Sequence, residues 1–369
     1  MKIVVLGGAG DMGSRAVRDL AAQTDVSKLT IADIQEVRAH KLAEELNSPK
    51  VSVARVDATD PESLKQAISG HDVAASAIGP FYKFEAPVAR AAIEAGVNYV
   101  SICDDYDAAA KVLEMDEMAR ERGLRVLTGL GWTPGMTNVA ARKGADQMDE
   151  TQEINVAWAG SSADSQGYAV VLHTIHIFTG LVPSFRDGKR IEVEAGTAGE
   201  VVSFPAPIEN VNVCHLGHPE PVTIPRFIKG LKVVTLKGGL TEPLLNKLAI
   251  AIARMRLTNT RRKKDAVGRI IKTALPVLEK LGKPGIPISG LRVDVRGLYK
   301  GKPRHLVYKA ANHMNNLTGV PLAVGALMLG RGQIQRKGVF APEAEGAVDP
   351  ALFFAELAER GVFVSEQEL

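Results

Sequence analysis

Cysteine is almost absent from this chain. Cys103 and Cys214 are the two among 369 residues, too few for a disulfide framework, and free thiols suit a reducing, cytoplasmic setting. Aromatic residues make up 5% of the sequence, and the basic cluster Arg254, Arg256, Arg261, Arg262, Lys263, Lys264, Arg269 and Lys272 contains none. It therefore lacks the stacking platforms of a nucleic-acid groove and reads as a solvated helical face. The net charge of +3 argues the same way. Long apolar runs are missing too. The most apolar interior stretch, Tyr168 to Val182, carries His173 and His176 and is too short and too polar to cross a bilayer. The N-terminal apolar run is cut short by Gly7 and Asp11, so it reads as a strand and not as a signal peptide. Neither a membrane nor a nucleic acid is expected as a partner.

What is present is an ordinary soluble composition, 46% apolar and 24% charged, on a chain long enough for two or three domains. The first thirteen residues organise it. Ile3 to Leu6 read as a buried parallel strand, glycines follow at once, and Ser14 to Ala22 form an amphipathic run with Ala16, Val17, Leu20 and Ala21 on one side. Gly8-x-Gly10-x-x-Gly13 fits the dinucleotide fingerprint, and Gly7-x-x-Gly10-x-x-Gly13 fits its looser variant. An early glycine allows the tight turn, Gly10 lets backbone approach a pyrophosphate, and Gly13 lets helix pack against strand. Asp11 and Met12 open the helix whose free N–H groups would face the phosphates. A second strand, Leu29 to Ala32, ends in Asp33, about 20 residues past the glycines, where an acid binds a ribose 2′-hydroxyl. Such an acid repels a 2′-phosphate, so NAD is favoured over NADP.

Strand and helix keep alternating to about residue 132. Val51 to Val56, His71 to Ile78, Val97 to Ile102 and Leu124 to Thr128 read as strands; a helix starts at Pro61, and others run from Ala86 to Gly96 and from Ala108 to Gly123. This alternation implies a doubly wound parallel sheet with right-handed crossovers. After Gly129 to Gly135 the pattern changes. A helix from Met136 to Met148 leads into alternating runs at 153–158, 191–194, 232–236, 291–297 and 303–310, expected to form a mostly antiparallel sheet with helices inserted over 241–281. An apolar segment, Thr318 to Arg331, and a helix, Pro350 to Gly361, close the chain.

Several stretches, taken in order, resemble the saccharopine dehydrogenase family. They are Ser76 to Tyr82, Gly129 to Asn138, Gly217 to Glu220, Pro225–Arg226, Thr318 to Leu322, Lys337 to Val339 and Phe353 to Leu357. The resemblance spans essentially the whole chain. It implies an α/β fold: an N-terminal Rossmann domain over 1–132, an inserted α+β domain over 133–316 for substrate binding and dimerisation, and C-terminal helices over 317–369, part of them returning to the first domain. It also implies NAD(P)-linked chemistry at a carbon–nitrogen bond of an amine or amino acid in a homodimeric enzyme. Saccharopine reductases carry an Asp-Pro-Gly-Ile-Asp-His turn. Here Thr133–Pro134–Gly135–Met136–Thr137–Asn138 stands in its place, without the acid or the histidine, which leans toward the lysine 6-dehydrogenase branch.

In a doubly wound sheet, ligands sit beyond the carboxyl ends of the strands. Asp57 with Ala58, and Ala77–Ile78–Gly79–Pro80, fall there and complete the expected coenzyme set. For Asp57 a helix cap is an equal alternative. Removing hydride from an amine carbon requires a neutral amine and hence a general base. Asp104 and Asp105 are the candidates, although one of them is expected to cap the following helix. His173 and His176 lie three apart on one helical face. His173 is a candidate for acid–base work, and a zinc pair is disfavoured because the cysteines show no ligand spacing. Tyr82, Thr133, Asn138, His176 and Arg226 form the candidate substrate set, with Arg226 offering a bidentate fork to a carboxylate. A short-chain dehydrogenase is disfavoured, since none of the six tyrosines has lysine four residues on. A dinucleotide-binding redox sensor or scaffold without turnover stays open as the non-enzyme alternative.

Overall fold

The computed structural model describes residues 1–164, 168–254 and 286–369; the side chains of 165–171 and 252–285 are outside it, and with them the basic cluster and the end of the expected 241–281 helices. The chain forms two compact units, Met1–Val139 with Asn315–Val362, and Ala140–Met314 with Phe363–Leu369.

In the first unit the strands are β1 (Lys2–Leu6), β2 (Lys28–Asp33), β3 (Val51–Arg55), β4 (Val73–Ser76), β5 (Asn98–Ser101) and β6 (Arg125–Leu127). They lie in the order β3-β2-β1-β4-β5-β6, every pair parallel. This is the doubly wound order, and the reversal between β1 and β4 marks where ligands bind. Residues Ile3 to Leu6 are fully buried, as a strand covered on both faces requires. A helix follows each strand on: α1 (Asp11–Ala22), α2 (Glu36–Leu46), α3 (Pro61–Ile68), α4 (Phe81–Glu94), α5 (Tyr106–Leu113), α6 (Asp116–Glu121) and, after β6, α7 (Met136–Ala145). Helix α1 buries Gly13, Ala16, Val17 and Leu20. Helix α3 is capped by Asp60, whose carboxylate accepts the Glu62 N–H, with Pro61 in the first turn.

Two elements differ from the sequence expectation. Helix α4 starts five residues early, at Phe81 instead of Ala86, because a distant side chain caps it. The 108–123 helix divides into α5 and α6. Near the C-terminus the first unit also gains β15 (Gly338–Phe340), which extends the parallel sheet beside β6. Three residues are too few for periodicity to reveal.

The second unit is built on β7 (Glu150–Gly160), β8 (Leu181–Arg186), β9 (Lys189–Glu194), β10 (Glu200–Ser203), β11 (Asn210–His215), β12 (Val233–Leu240), β13 (Ser289–Tyr299), β14 (Lys302–Asn312) and β16 (Ser365–Glu368), with α8 (Tyr168–Ile177), α9 (Glu220–Phe227) and α10 (Pro243–Arg254). Their path is β10-β11-β12-β7-β13-β14-β16, with β8 and β9 off it. The pairs are antiparallel except β12 with β7, which is parallel. The sheet is therefore mixed. Ile154, Val156, Val234, Leu236, Leu291, Val293 and Val295 alternate into its core face and are buried.

The helices that close the first unit are α11 (Met314–Gly330) and α12 (Pro350–Glu359). Helix α11 packs closely on α1, since a Cβ on Gly319 would lie 2.6 Å from the Met12 carbonyl oxygen, and Asn316 accepts from Arg15 at 2.7 Å. Beyond α12, Arg360 grips buried Asp19 through two contacts of 3.0 and 3.1 Å.

Candidate active site

The glycine turn follows β1 directly. Gly7 carries a φ of +73°, so it makes the tight turn, and a Cβ there would lie 3.0 Å from the Ala77 carbonyl. Gly8, named from the sequence, is needed for space: its Cβ would sit 2.9 Å from the Val5 oxygen. A Cβ on Gly13 would come within 2.2 Å of the Gly7 oxygen, whereas one on Gly10 would lie 3.2 Å from it. Gly13 therefore lets α1 touch the turn. Gly10, the N-cap of α1, has no side chain to close the first helical turn, so that end presents N–H groups to an anion. Asp11 is exposed and Met12 partly so.

Asp33 ends β2 with its side chain turned back to this loop. One oxygen accepts the Ala9 N–H at 3.0 Å and the other accepts the Gln35 N–H at 2.9 Å. Asp33 is 7% exposed. Sequence reasoning placed it for a ribose; the structure adds that it fastens the phosphate turn. Asp57 instead closes a local turn. One carboxylate oxygen accepts both the N–H and the hydroxyl of Thr59, and these bonds hold its pKa below the usual carboxylate value. It is not the α3 cap, a place taken by Asp60. Ala58 lies beside it.

Ala77 to Pro80 follow β4, with Ala77 and Ile78 against Gly7 and the Ala77 N–H bonded to the Leu6 oxygen at 2.8 Å. Strand β5 leads to Cys103–Asp104–Asp105. Asp105 is fully buried, and its carboxylate accepts the Tyr82 N–H at 2.7 Å. It stands at the N-cap position of α5 but makes no side-chain cap there. One of the two acids was expected to cap the following helix; Asp105 instead caps α4. Asp104 is the more accessible of the pair.

After β6 the chain turns through Gly129 to Asn138. Gly131 N–H bonds Pro134 O at 2.9 Å, and Met136 N–H bonds Gly131 O at 2.9 Å. Thr133 is buried, 7% exposed. Asn138, a candidate substrate residue, lies within this turn. Its side chain is fully buried, its oxygen accepts from Gly135 N–H and Thr137 Oγ1 at 3.1 Å each, and its nitrogen donates to Glu343 at 2.9 Å. Both ends of the amide hold the turn.

In the second unit, His173 on α8 packs edge-on against His218 with ring centres 5.3 Å apart, and His218 lies 5.9 Å from Trp158. His218 Nδ1 is 3.6 Å from a Glu220 carboxylate oxygen, both groups buried. The Trp158 ring covers the backbone of Gly238, where a Cβ would come within 2.1 Å of it. His176 is 8% exposed. Arg226 is separate: it is exposed at the far end of α9, its guanidinium 5.8 Å over Phe227. His218 and Glu220 fall in the 217–220 stretch already noted in the sequence. Nothing in the sequence pointed to the Trp158–His218–His173 stack, because its members are far apart along the chain.

The comparisons with known proteins agree with this architecture. Residues 3–127 match the family model described as the saccharopine dehydrogenase NADP binding domain. Carboxyaminopropylagmatine dehydrogenase of Synechocystis sp. is 24% identical, covering 98% of this chain and 96% of that one. The apo saccharopine dehydrogenase (L-Glu forming) of Saccharomyces cerevisiae superposes with a TM-score of 0.70 at 17% identity, covering 100% of both chains. A glycine cradle at the strand-order reversal, a family-model match over the same residues and a shared whole-chain fold agree: residues 3–127 are similar to the saccharopine dehydrogenase NADP binding domain, and the chain has the fold of saccharopine dehydrogenase.

Proposed function

We propose that this chain oxidises, or forms in reverse, the carbon–nitrogen bond of an amino acid carrying a secondary amine, with NAD as coenzyme. The observation that carries the reading is the first unit's strand edge. Gly7, Gly10 and Gly13 shape a phosphate cradle there, and Asp104 lies at the same edge beyond β5. The near full-length likeness to a dehydrogenase named for carboxyaminopropylagmatine supports a substrate in which an amino acid is joined to a second amine. The missing acid and histidine of the 133–138 turn argue against saccharopine itself.

The turn and the N-terminus of α1 would hold the pyrophosphate, Asp33 the adenosine ribose, and Ala77 to Pro80 the nicotinamide side. The coenzyme supplies a hydride acceptor. The protein has to supply a neutral amine, because a protonated amine has no lone pair to assist departure of the hydride. Asp104 takes that proton, since Asp105 is buried and committed to the Tyr82 N–H. His173, set on the buried His218–Glu220 pair, is the second proton-handling group. Thr133, Tyr82 and His176 contribute substrate contacts. NAD is preferred because Asp33 places a carboxylate where NADP carries its extra phosphate, although the family model bears the name of an NADP domain.

The homodimer is assigned to the open face of the second unit's sheet. Glu153, Asn155, Thr235, Lys237, Arg292 and Asp294 line a depression of about 630 Å³ on it. Mixed charges on one sheet face suit pairing with a second copy of itself. Among the described residues no helix is long and apolar enough to cross a membrane. The decisive experiment follows reduction of NAD and NADP spectrophotometrically with lysine, saccharopine and N-(carboxyalkyl)amines. Turnover confined to the last group is expected; binding of NAD with no turnover on any amine would favour the redox-sensor alternative.

A further inference from the structure

Helix α4 buries Phe81, Val88, Ala89 and Ala92, and in the same stripe it buries Glu85, 1% exposed. An apolar side chain would serve the core without the cost of desolvating a carboxyl group. This one is fully partnered. One oxygen accepts from Ser101 Oγ at 2.6 Å and from Thr128 Oγ1 at 3.1 Å; the other lies 3.0 Å from Tyr99 Oη. Tyr99 also lies beside Ser76. Ser76 ends β4, Ser101 ends β5, and Thr128 follows β6. A single carboxyl group therefore ties together the ends of β5 and β6, which lead into 103–105 and 129–132, with Tyr99 set beside Ser76 at the end of β4.

The titratable groups facing Glu85 are Tyr99, Cys103 and Asp105. The charged groups on its own helix are engaged elsewhere: Lys83 lies 5.7 Å over the Tyr82 ring, and Arg90 reaches Met118 Sδ at 3.8 Å. On α5, Asp107 accepts the Ala108 N–H. Burial pushes the Glu85 carboxyl up to about 7, the three hydroxyl bonds oppose this, and Asp105 adds to it.

We propose that Glu85 is a positioning residue for this edge: protonated, it holds the ends of β5 and β6 together, and ionised beside Asp105 it loosens them. The role rests on the reading of this edge as the coenzyme and substrate edge. In the protonated form the Glu85 O–H donates to Tyr99 Oη; on ionisation Tyr99 donates to Glu85 instead.

Glu85→Gln copies the protonated form, with its amide N–H donating to Tyr99 and its oxygen accepting from Ser101 and Thr128. Two profiles between pH 5 and 9 test the role: the melting temperature of the coenzyme-free protein, and the Kd for NADH from its fluorescence. A carboxyl group raised on folding contributes stability that is complete below its unfolded pKa and is lost as pH rises through its folded one. Wild-type protein therefore loses melting temperature from pH 5 to about 7, a loss that E85Q removes. Coenzyme affinity weakens in wild type across the same titration, about tenfold if binding raises the carboxyl pKa by one unit, and stays constant in E85Q. Tyr99→Phe keeps the acid but removes one bond to its ionised form, so both transitions move to higher pH. Profiles of wild type and E85Q that run parallel would overturn the positioning role. Absence of NADH binding to wild type at every pH would sink the reading of the edge itself, even with the melting difference intact.

Discussion

The carboxylate of Asp105 accepts the backbone N–H of Tyr82 at 2.7 Å, so an acid following β5 closes the first turn of α4. This separates two adjacent acids by duty. Asp105→Asn removes a capping charge from a buried helix end and is expected to cost about 0.5–2 kcal/mol of stability, read as a lower melting temperature. Asp104→Asn leaves that contact intact and removes the proposed base. Its kcat should fall by about 10²- to 10⁴-fold with melting unchanged. The reverse pattern would exchange the two assignments.

Asp33 has two jobs, and they are separable by coenzyme. Asp33→Ala removes the acceptor for a ribose hydroxyl, and hydrogen bonds to charged groups contribute about 1.5–3 kcal/mol. The Ala9 N–H also loses its partner, a cost that falls on both coenzymes. NAD affinity should therefore drop by about 10- to 100-fold and NADP affinity by less, as measured by calorimetric titration. Equal losses would show that the acid serves the turn alone.

Gly10 and Gly13 should fail differently. A Cβ at 13 meets the Gly7 backbone oxygen at 2.2 Å, and one at 10 meets it at 3.2 Å. Gly13→Ala must push α1 away from the turn, at a cost of about 1–3 kcal/mol and with loss of coenzyme binding. Gly10 has a φ of −75°, which alanine adopts freely, so Gly10→Ala should melt near the wild-type temperature. Its methyl group still occupies space a pyrophosphate needs, and NADH binding should weaken with the fold intact.

The parallel sheet was legible because its strands are continuous apolar runs separated by helices of regular length, and the glycine turn names its own position. Long-range pairing was not. The parallel contact of β12 with β7 joins Thr235 to Asn155, eighty residues apart and invisible to any local period. One of Asp104 and Asp105 looked like the cap of the following helix because sequence neighbours are the only partners a local reading can weigh. Glu85 is the more instructive miss. It sits four residues after Phe81 and three before Val88, on the apolar stripe of α4, and a charge in that register signals a buried acid. The sign was hidden because the helix seemed to begin at Ala86, beyond the reach of its cap.

On the open face of the second sheet, Arg292 holds Asp294 through contacts of 2.6 and 2.9 Å, and His305 Nε2 lies 2.7 Å from the same carboxylate. Burial alone would raise the Asp294 pKa, but the Arg292 bonds and charge, with His305, outweigh it and hold the acid below its ordinary value. A carboxylate lowered on folding contributes stability that is present above its unfolded pKa, near 4, and is lost as pH falls through the folded one. Asp294→Asn leaves Arg292 and His305 facing an uncharged group. At pH 7 it should lose about 1–3 kcal/mol, and the gap from wild type should close as the pH falls through the lowered pKa of Asp294. Because Asp294 lines the face assigned to the homodimer, sedimentation at neutral pH should also show weaker self-association. A variant that melts early yet sediments like wild type would keep the ion pair's role in the sheet and move the dimer contact elsewhere.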